Sequence, residues 1–203
     1  MPPTLANAQR RKPQQMRATQ RRAKFLEVAE QLIGKSGYEA VTMTGIAEVA
    51  GASIGTLYDY FPDKQSVAVA LLSQYGEQID AYWAAVLNES HVETEREFAE
   101  LFIEGLLAFV HDRPAYLPLL AGSIVYSRTA EARQPLRRTI AGALQKVKPR
   151  LSAERAFLCA QVIVELMKGM LTVYKQAAAK DRSTVVSDFK ELVVAYLTGC
   201  HPS

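Results

Sequence analysis

The sequence predicts an all-α protein, and three observations support this fold class. From Thr19 onward, apolar residues recur at spacings of three and four, which is the period of an amphipathic helix. Serine, threonine, aspartate, glycine and proline stand where these periodic segments begin and end, as helix caps and stops do. No run of alternating valine, isoleucine and threonine is bounded by hairpin turns, so the signals of β-strands are missing.

The composition is that of a soluble globular protein with one or two domains. Of its 203 residues, 49% are hydrophobic and 22% are charged. The apolar runs are far shorter than the roughly 18 residues of a membrane span, and the arginine-rich N-terminus has no apolar signal core. Cys159 and Cys200 lack metal-ligand spacing, so we expect them to be inert packing residues. We expect a cytoplasmic protein with no cofactor, metal or membrane partner.

Positive charge is concentrated at the N-terminus. Residues 1–26 carry seven basic residues and no acidic one, whereas the rest of the chain carries 17 basic against 21 acidic residues. Proline and glutamine are frequent in residues 1–19, which predicts an arm that is disordered when free. Composition leaves two interpretations open: the arm is a solubilising tail, or it contacts the phosphates of a nucleic acid.

Two short helices follow the first predicted helix, which covers residues 20–36. Thr42 caps the second, over residues 43–50, and Ser53 caps the third, over residues 54–60. The turn between them has three residues and contains a glycine. Two short helices joined in this way form the helix-turn-helix pattern, in which the second helix enters the DNA major groove with its N-terminal end foremost.

The third helix contains a glycine that packing alone does not explain. Gly55 costs about 1 kcal/mol relative to alanine inside a helix. Gly55, Thr56 and Asp59 fall on the face opposite Leu57 and Phe61. We interpret Gly55 as allowing the helix backbone to approach a duplex closely, and Thr56 as offering a hydroxyl or a methyl to a base edge. Asp59 would repel phosphate, so it either accepts from a cytosine amino group or points to solvent.

Further polar residues near this helix are candidate phosphate contacts. Tyr58 and Tyr60 can donate to phosphate oxygens, and Lys64 adds a positive charge. Thr42 and Thr44 lie at the N-terminus of the second helix, where free N–H groups and the helix dipole favour phosphate. Tyrosines at helical spacing also occur as ordinary amphipathic packing, so that interpretation stays open.

Ile54 has two interpretations of equal weight. It falls near the face formed by Leu57 and Phe61, which favours a core position. It is also the first residue of the helix whose N-terminal end would lead into the groove, which favours a base contact.

The segment from Thr42 to Lys64 closely resembles the helix-turn-helix of tetracycline-repressor (TetR/AcrR) family regulators. At the positions of the family pattern this chain has Thr42, Ile46-Ala47, Ala50-Gly51-Ala52-Ser53, Gly55-Thr56-Leu57-Tyr58, Tyr60-Phe61 and Lys64. Three residues depart from the family pattern. Ala52 replaces a usual valine, Gly45 stands where many relatives have an acidic residue, and Ile54 stands where lysine or arginine is common.

The resemblance implies a homodimeric transcription factor with nine or ten helices, usually a repressor that a small molecule releases from palindromic DNA. It implies a DNA-binding domain over residues 20–64 and a ligand-binding and dimerisation domain over residues 65–203. It implies phosphate contacts from Thr42, Tyr58, Tyr60 and Lys64, and groove contacts around Thr44, Gly45, Ser53, Ile54, Gly55 and Thr56.

The last two predicted helices, over residues 152–180 and 183–199, are apolar on nearly all sides. A helix of this kind is buried on nearly all sides. Two-fold dimerisation through these helices explains the pattern, and central helices of a monomer are the alternative. The candidate interface residues are Phe157, Val164, Leu171, Phe189, Val193 and Leu197.

Aromatic and methionine residues of the C-terminal helices could line an apolar pocket for an effector. These residues are Trp83, Phe102, Phe109, Tyr116, Tyr126, Met167 and Met170. The same residues at helical spacing also fit an ordinary core, so the pocket stays one of two interpretations.

A ligand-controlled DNA-binding dimer is the expected function. Its recognition helices must lie about 34–36 Å apart to meet successive major grooves. A ligand would change that spacing through the predicted fourth helix, over residues 63–87, with a coupling of about 1–3 kcal/mol. No catalytic motif is present. The alternative, a helical small-molecule-binding or adaptor protein without sequence-specific DNA binding, does not explain the caps, Gly55 or the tyrosines.

Overall fold

The computed structural model describes residues 5–122, 124 and 131–201, with side chains described from residue 15 onward. Within these ranges the chain forms nine α-helices and one 3-10 turn and has no strand, which confirms the all-α fold class. The helices are α1 (Leu5–Ser36), α2 (Met43–Val49), α3 (Ile54–Tyr58), α4 (Lys64–Glu89), α5 (Glu95–His111), α6 (Tyr116–Ala121), α7 (Gln134–Val147), α8 (Ala153–Gln176) and α9 (Arg182–Thr198).

The first helix is longer than predicted. It begins at Leu5 instead of near Gln20, so residues 5–19, predicted as a disordered arm, are helical here. Alanine, glutamine, arginine and methionine dominate this stretch, and all four have high helix propensity. The predicted end at residue 36 is confirmed. Gly37 follows with a φ of +80°, the left-handed conformation that glycine adopts without steric cost after a helix.

The chain divides into two compact units. The first comprises Met1–Ser73 and Arg113–Tyr126, and the second comprises Gln74–Asp112 and Ser127–Ser203. The boundary predicted at residue 64 therefore falls short of the observed one. The first turns of α4 belong to the N-terminal unit because their apolar side chains are buried there. Periodicity along one continuous helix cannot reveal where its packing partners change.

The region after α5, which sequence patterns leave unplaced, contains α6 and belongs to the first unit. Pro114, just before α6, packs against α1 at Gly34. A Cβ placed on Gly34 would lie 2.5 Å from the Cβ of Pro114, so a side chain at this position is excluded. Glycine here provides a close approach between two segments that are far apart in sequence.

In the second unit, α8 packs against both α7 and α9, and α9 also packs against α5. Ion pairs join α5 to α9 at the surface. The Arg96 guanidinium donates to the Glu191 carboxylate at 2.7 Å, and this bond lowers the pKa of Glu191. The Lys190 ammonium donates to Glu104 at 2.6 Å. Solvent screens exposed pairs of this kind, so apolar burial holds the unit together.

The two cysteines meet in the core of the second unit. Cys159 on α8 and Cys200 after α9 are both buried, and their sulfur atoms lie 2.9 Å apart as a thiol hydrogen bond. Burial raises the pKa of the Cys200 thiol, and the bond to Cys159 raises it further. Since the thiolate is the reactive form, this environment suits the packing role predicted for both residues.

One helix of the described ranges, α8, is long and apolar enough by length and composition to cross a membrane. Such a result for a single helix is weak evidence, because the core helix of a soluble protein passes the same test. Its inner face supplies Ala156, Ile163 and Met170 to the core of the second unit.

Candidate nucleic-acid interface

The two short helices have the predicted caps. The Thr42 hydroxyl accepts from the backbone N–H of Gly45 at 3.1 Å, which caps α2. The Ser53 hydroxyl accepts from the N–H of Thr56 at 3.1 Å, which caps α3. Gly51 in the turn has a φ of +67°. Side-chain oxygens at these positions satisfy N–H groups that have no partner within the helix, so local sequence determines where both helices begin.

The predicted DNA contacts lie at the surface of the first unit. Exposed residues among them are Thr42, Thr44, Ser53, Ile54, Gly55 and Tyr58, and half-buried residues are Gly45, Thr56, Tyr60 and Lys64. None of the ten is buried. The opposite face of α3 carries Leu57 with 0% exposure, followed by Phe61 with 3%, and these two residues fix the helix on the core.

Ile54 lies on the exposed side of α3, with 38% of its surface accessible. The core interpretation of this residue is therefore wrong. Ile54 is the first residue of a helix of only five residues. At this end the chain enters from the turn, and Ile54 is more exposed than Leu57 although the two residues lie close together on the helical wheel.

Gly55 has open space around it. A Cβ at this position would meet only the Ser53 hydroxyl, at 3.9 Å, which is an ordinary van der Waals contact. Its backbone is helical and does not require glycine. Within the residues that the structure describes, neither packing nor backbone conformation explains the missing side chain, which points to a reason outside the chain. Close approach of another molecule to the backbone of α3 is such a reason.

The Thr56 hydroxyl is hydrogen-bonded within the chain. It lies 2.8 Å from that of Ser53, and one of the two donates to the other. The hydroxyl that was expected to reach a base edge thus already has a partner. The Thr56 methyl has no such commitment.

The two tyrosines differ. Tyr58 is 51% exposed. Tyr60 is half-buried, and its ring packs edge-on against Phe25 of α1 with centroids 5.6 Å apart. Tyr60 therefore packs against α1 and still reaches the surface, whereas about half of Tyr58 is exposed to solvent.

Lys64 has a structural role that the sequence did not reveal. Its ammonium donates to the backbone carbonyls of Tyr38 and Glu39, at 3.1 Å each, and lies 4.5 Å from the centroid of the Tyr38 ring. The lysine thus ties the start of α4 to the loop between α1 and α2. Burial raises the pKa of the Tyr38 hydroxyl, and Glu39 and Asp63 raise it further.

Replacing Lys64 by methionine should lower the free energy of unfolding by about 1–2 kcal/mol, because two hydrogen bonds from a charged donor are lost. Urea unfolding of the full chain measures this. Lys35→Met is the matched control, since Lys35 is exposed on α1 and its removal should cost no more than a few tenths of a kcal/mol. Unchanged stability of Lys64→Met with lost DNA binding would instead assign Lys64 to a direct phosphate contact.

The first unit carries an excess of basic residues. Residues 1–73 contain nine basic and six acidic residues. Arg17 and Arg21 on α1 are exposed. The Arg22 guanidinium lies 5.3 Å from the centroid of the Phe61 ring, which places a positive charge beside the end of α3. This cation–π contact was not predicted, because it joins residues 39 positions apart.

The predicted effector residues are only partly brought together. Trp83 and Phe102 are buried, with ring centroids 4.3 Å apart, and Phe109 is buried as well. Met167 and Met170 are also buried. Tyr116 lies on α6, which belongs to the first unit, whereas the other five belong to the second. Tyr126 lies outside the described residues.

The predicted dimer residues require a correction. Val164, Leu171, Val193 and Leu197 are buried in the core of the chain itself, and Phe157 and Phe189 are half-buried. The exposed apolar residues of these helices are Leu158, Val162, Val173 and Leu192. Both sets recur at helical spacing. Sequence identified a helix with two apolar faces but could not tell which face packs on α7 and which remains open.

No group of three or more histidine, cysteine, aspartate or glutamate side chains is placed to hold a metal ion in the ranges that the structure describes. In the same ranges, no polar or charged residue is fully buried.

Comparison with known proteins identifies the family. The pattern "Bacterial regulatory proteins, tetR family" matches residues 25–71, and "Tetracyclin repressor-like, C-terminal domain" matches residues 96–197, which is half of the chain. The HTH-type transcriptional repressor KstR of Mycolicibacterium smegmatis is 44% identical over 62 residues, 30% of each chain. The uncharacterized HTH-type transcriptional regulator YvkB of Bacillus subtilis is 45% identical over 60 residues, 30% of this chain and 31% of YvkB. These matches span less than a third of either relative.

Solved structures share the fold. A TetR-family transcriptional regulator from Streptomyces coelicolor superposes with a TM-score of 0.70 at 19% identity, covering 89% of this chain and 97% of that one. A TetR-family regulator from Pectobacterium atrosepticum gives 0.71 at 14% identity, covering 93% and 98%. Together with the two matched patterns and the helix-turn-helix geometry, these findings show that the chain belongs to the tetR family of bacterial regulatory proteins.

Proposed function

We propose that this chain is a homodimeric repressor that binds a palindromic DNA operator and releases it when a small, largely apolar effector binds. The observation that carries the proposal is the exposed face of α3, where the backbone at Gly55 is bare and no described residue requires it to be. As a bacterial DNA-binding regulator it acts in the cytoplasm. KstR is named a transcriptional repressor, which supports repression here.

The second unit supports the homodimer. Leu158 and Val162 on α8 are 46% and 40% exposed, and Leu192 on α9 is 47% exposed. Because α8 and α9 pack on each other, their exposed apolar residues can form one face. Two copies of such a face can bury each other through a two-fold axis, which pairs the same surface on both subunits. Two recognition helices related in this way fit a palindromic operator.

The aromatic cluster of α4 and α5 supports an apolar effector. Trp83 and Phe102 are buried with Phe109 in a cluster of aromatic rings, and the half-buried Tyr82 packs against Trp83 and Phe109. Met167 and Met170 on α8 are flexible side chains that adapt to irregular shapes. An effector that separates these rings would meet mostly apolar surface, so the matching ligand is largely apolar. α4 carries residues of both units and is the natural route of the coupling.

Trp83 is the sole tryptophan of the chain, and its fluorescence reports directly on this proposal. Apolar compounds that release the operator should change the emission of Trp83 at the same concentrations. Trp83→Phe removes the signal and serves as the optical control. An effector that releases DNA without any change in Trp83 emission would place the pocket elsewhere.

DNA binding itself is tested with palindromic duplexes from the region upstream of the gene. Phosphate-led binding weakens steeply between about 50 and 200 mM salt, because bound counterions are released from the DNA. Affinity that stays flat over this range would contradict the proposal and favour an adaptor without DNA binding.

Tyr58→Phe should weaken binding about tenfold on every duplex alike, because a phosphate contact carries affinity but no sequence information. Fluorescence anisotropy on several duplexes measures the effect. Tyr174→Phe removes a hydroxyl from α8 in the second unit and should leave affinity unchanged. A loss restricted to some sequences would assign Tyr58 to base readout instead.

A further inference from the structure

We infer that this regulator recognises its operator chiefly through the C5-methyl groups of thymine, with Ile54 as the reading residue. The inference rests on the proposed function and states which feature of the DNA the exposed face of α3 selects. The inference depends on which side chains α2, the turn and α3 expose and on which they lack.

The helix-turn-helix lacks the side chains that read purines. Residues 41–60 contain no arginine, lysine, asparagine or glutamine. Arginine and lysine bond bidentately to guanine, and asparagine and glutamine to adenine, and these are the main polar readouts of the major groove. Lys64, the next basic residue, is bound to the carbonyls of Tyr38 and Glu39. α3 therefore lacks the side chains that usually recognise guanine and adenine.

The leading end of α3 offers methyl groups instead. Ile54 is its first residue, and its branched apolar side chain is 38% exposed. The bare backbone of Gly55 follows directly, so the helix can come close enough for the isoleucine to reach the floor of the groove. The hydroxyl of Thr56 is engaged by Ser53 at 2.8 Å, which leaves its methyl for contact.

Thymine is the base that is complementary to such an apolar surface, because its C5-methyl is the apolar group that the major groove displays. The acidic residues of the motif, Glu48 and Asp59, are both exposed and can accept only from the amino groups of cytosine or adenine. They cannot bind thymine O4 or purine N7, which are acceptors as well.

The experiment isolates one methyl group. The full chain first selects duplexes from a randomised library. In the selected operator each thymine is then replaced by deoxyuridine, symmetrically in both half-sites, which removes the methyl and leaves all hydrogen-bonding groups in place. Burial of one methyl-sized group corresponds to about fourfold in affinity, so replacement in two half-sites should weaken binding about fifteenfold at one or two positions.

Ile54→Ala should bind the parent operator more weakly and respond little to the same deoxyuridine positions. Val49→Ala is the matched control, because Val49 is an exposed valine on α2 outside the leading end of α3, and it should keep the full response. If the unmutated chain binds every deoxyuridine-substituted operator as tightly as the parent operator, the inference is overturned. This result does not depend on whether any variant folds. A full response retained by Ile54→Ala also overturns the inference. Failure to enrich any duplex would overturn the proposed function itself.

Discussion

Gly55→Ala should weaken operator binding at least a hundredfold while leaving the fold slightly more stable. The added methyl group meets no atom closer than the Ser53 hydroxyl at 3.9 Å, and alanine is favoured over glycine in helices by about 0.5–1 kcal/mol. In the complex the same methyl group occupies the space through which the α3 backbone approaches the duplex. A misfit there prevents the flanking side chains from reaching bases and phosphates together.

Urea unfolding and anisotropy on the selected operator measure the two effects. Gly142→Ala is the matched control, because Gly142 is an exposed helical glycine in α7 where an added Cβ also meets nothing within 4 Å. It should gain similar stability and keep full affinity. If Gly55→Ala bound the operator normally, the open space at this position would have no connection with DNA, and the central observation of the proposed function would fail.

Val162→Glu and Leu158→Glu should each convert the dimer into a monomer. These positions are exposed in the single chain, so the charge costs little there. In a two-fold interface each substitution places two carboxylates in an apolar contact, and an unpaired buried charge costs several kcal/mol. Sedimentation gives the assembly state, and circular dichroism verifies that the chain still folds.

Leu120→Glu is the matched control, since Leu120 is an exposed leucine on α6 in the first unit. This variant should remain dimeric. The interface variants should also lose most of their affinity for the full palindrome, because each monomer then binds one half-site alone. Dimers that survive both substitutions would place the interface on another surface. Val164 is unsuitable for this test, because it is buried and its replacement by glutamate would unfold the chain.

Local chemistry explains why much of the DNA-binding surface is readable from the sequence. Thr42 and Ser53 cap helices through hydrogen bonds that span three residues. Gly37 and Gly51 adopt left-handed conformations that follow from the absence of a side chain. Each feature depends on a few neighbouring residues, so its cause lies within a short stretch of chain. α1 begins earlier than predicted. Charge and proline content suggested a disordered arm before residue 20, but the helix propensity of this stretch prevails.

Tertiary contacts decided what these short-range rules leave open. The exposure of Ile54, the anchoring of Lys64 by carbonyls 25 and 26 residues away, and the packing of Tyr60 on Phe25 each depend on a distant segment. The dimer face shows most clearly what the sequence alone cannot determine. The sequence alone determined that α8 has apolar residues on nearly all sides, since periodicity records which faces avoid water. Only the packing of α7 and α9 decided that Val164 lies inside and Val162 outside, because a helical pattern carries no information about which neighbour covers which face.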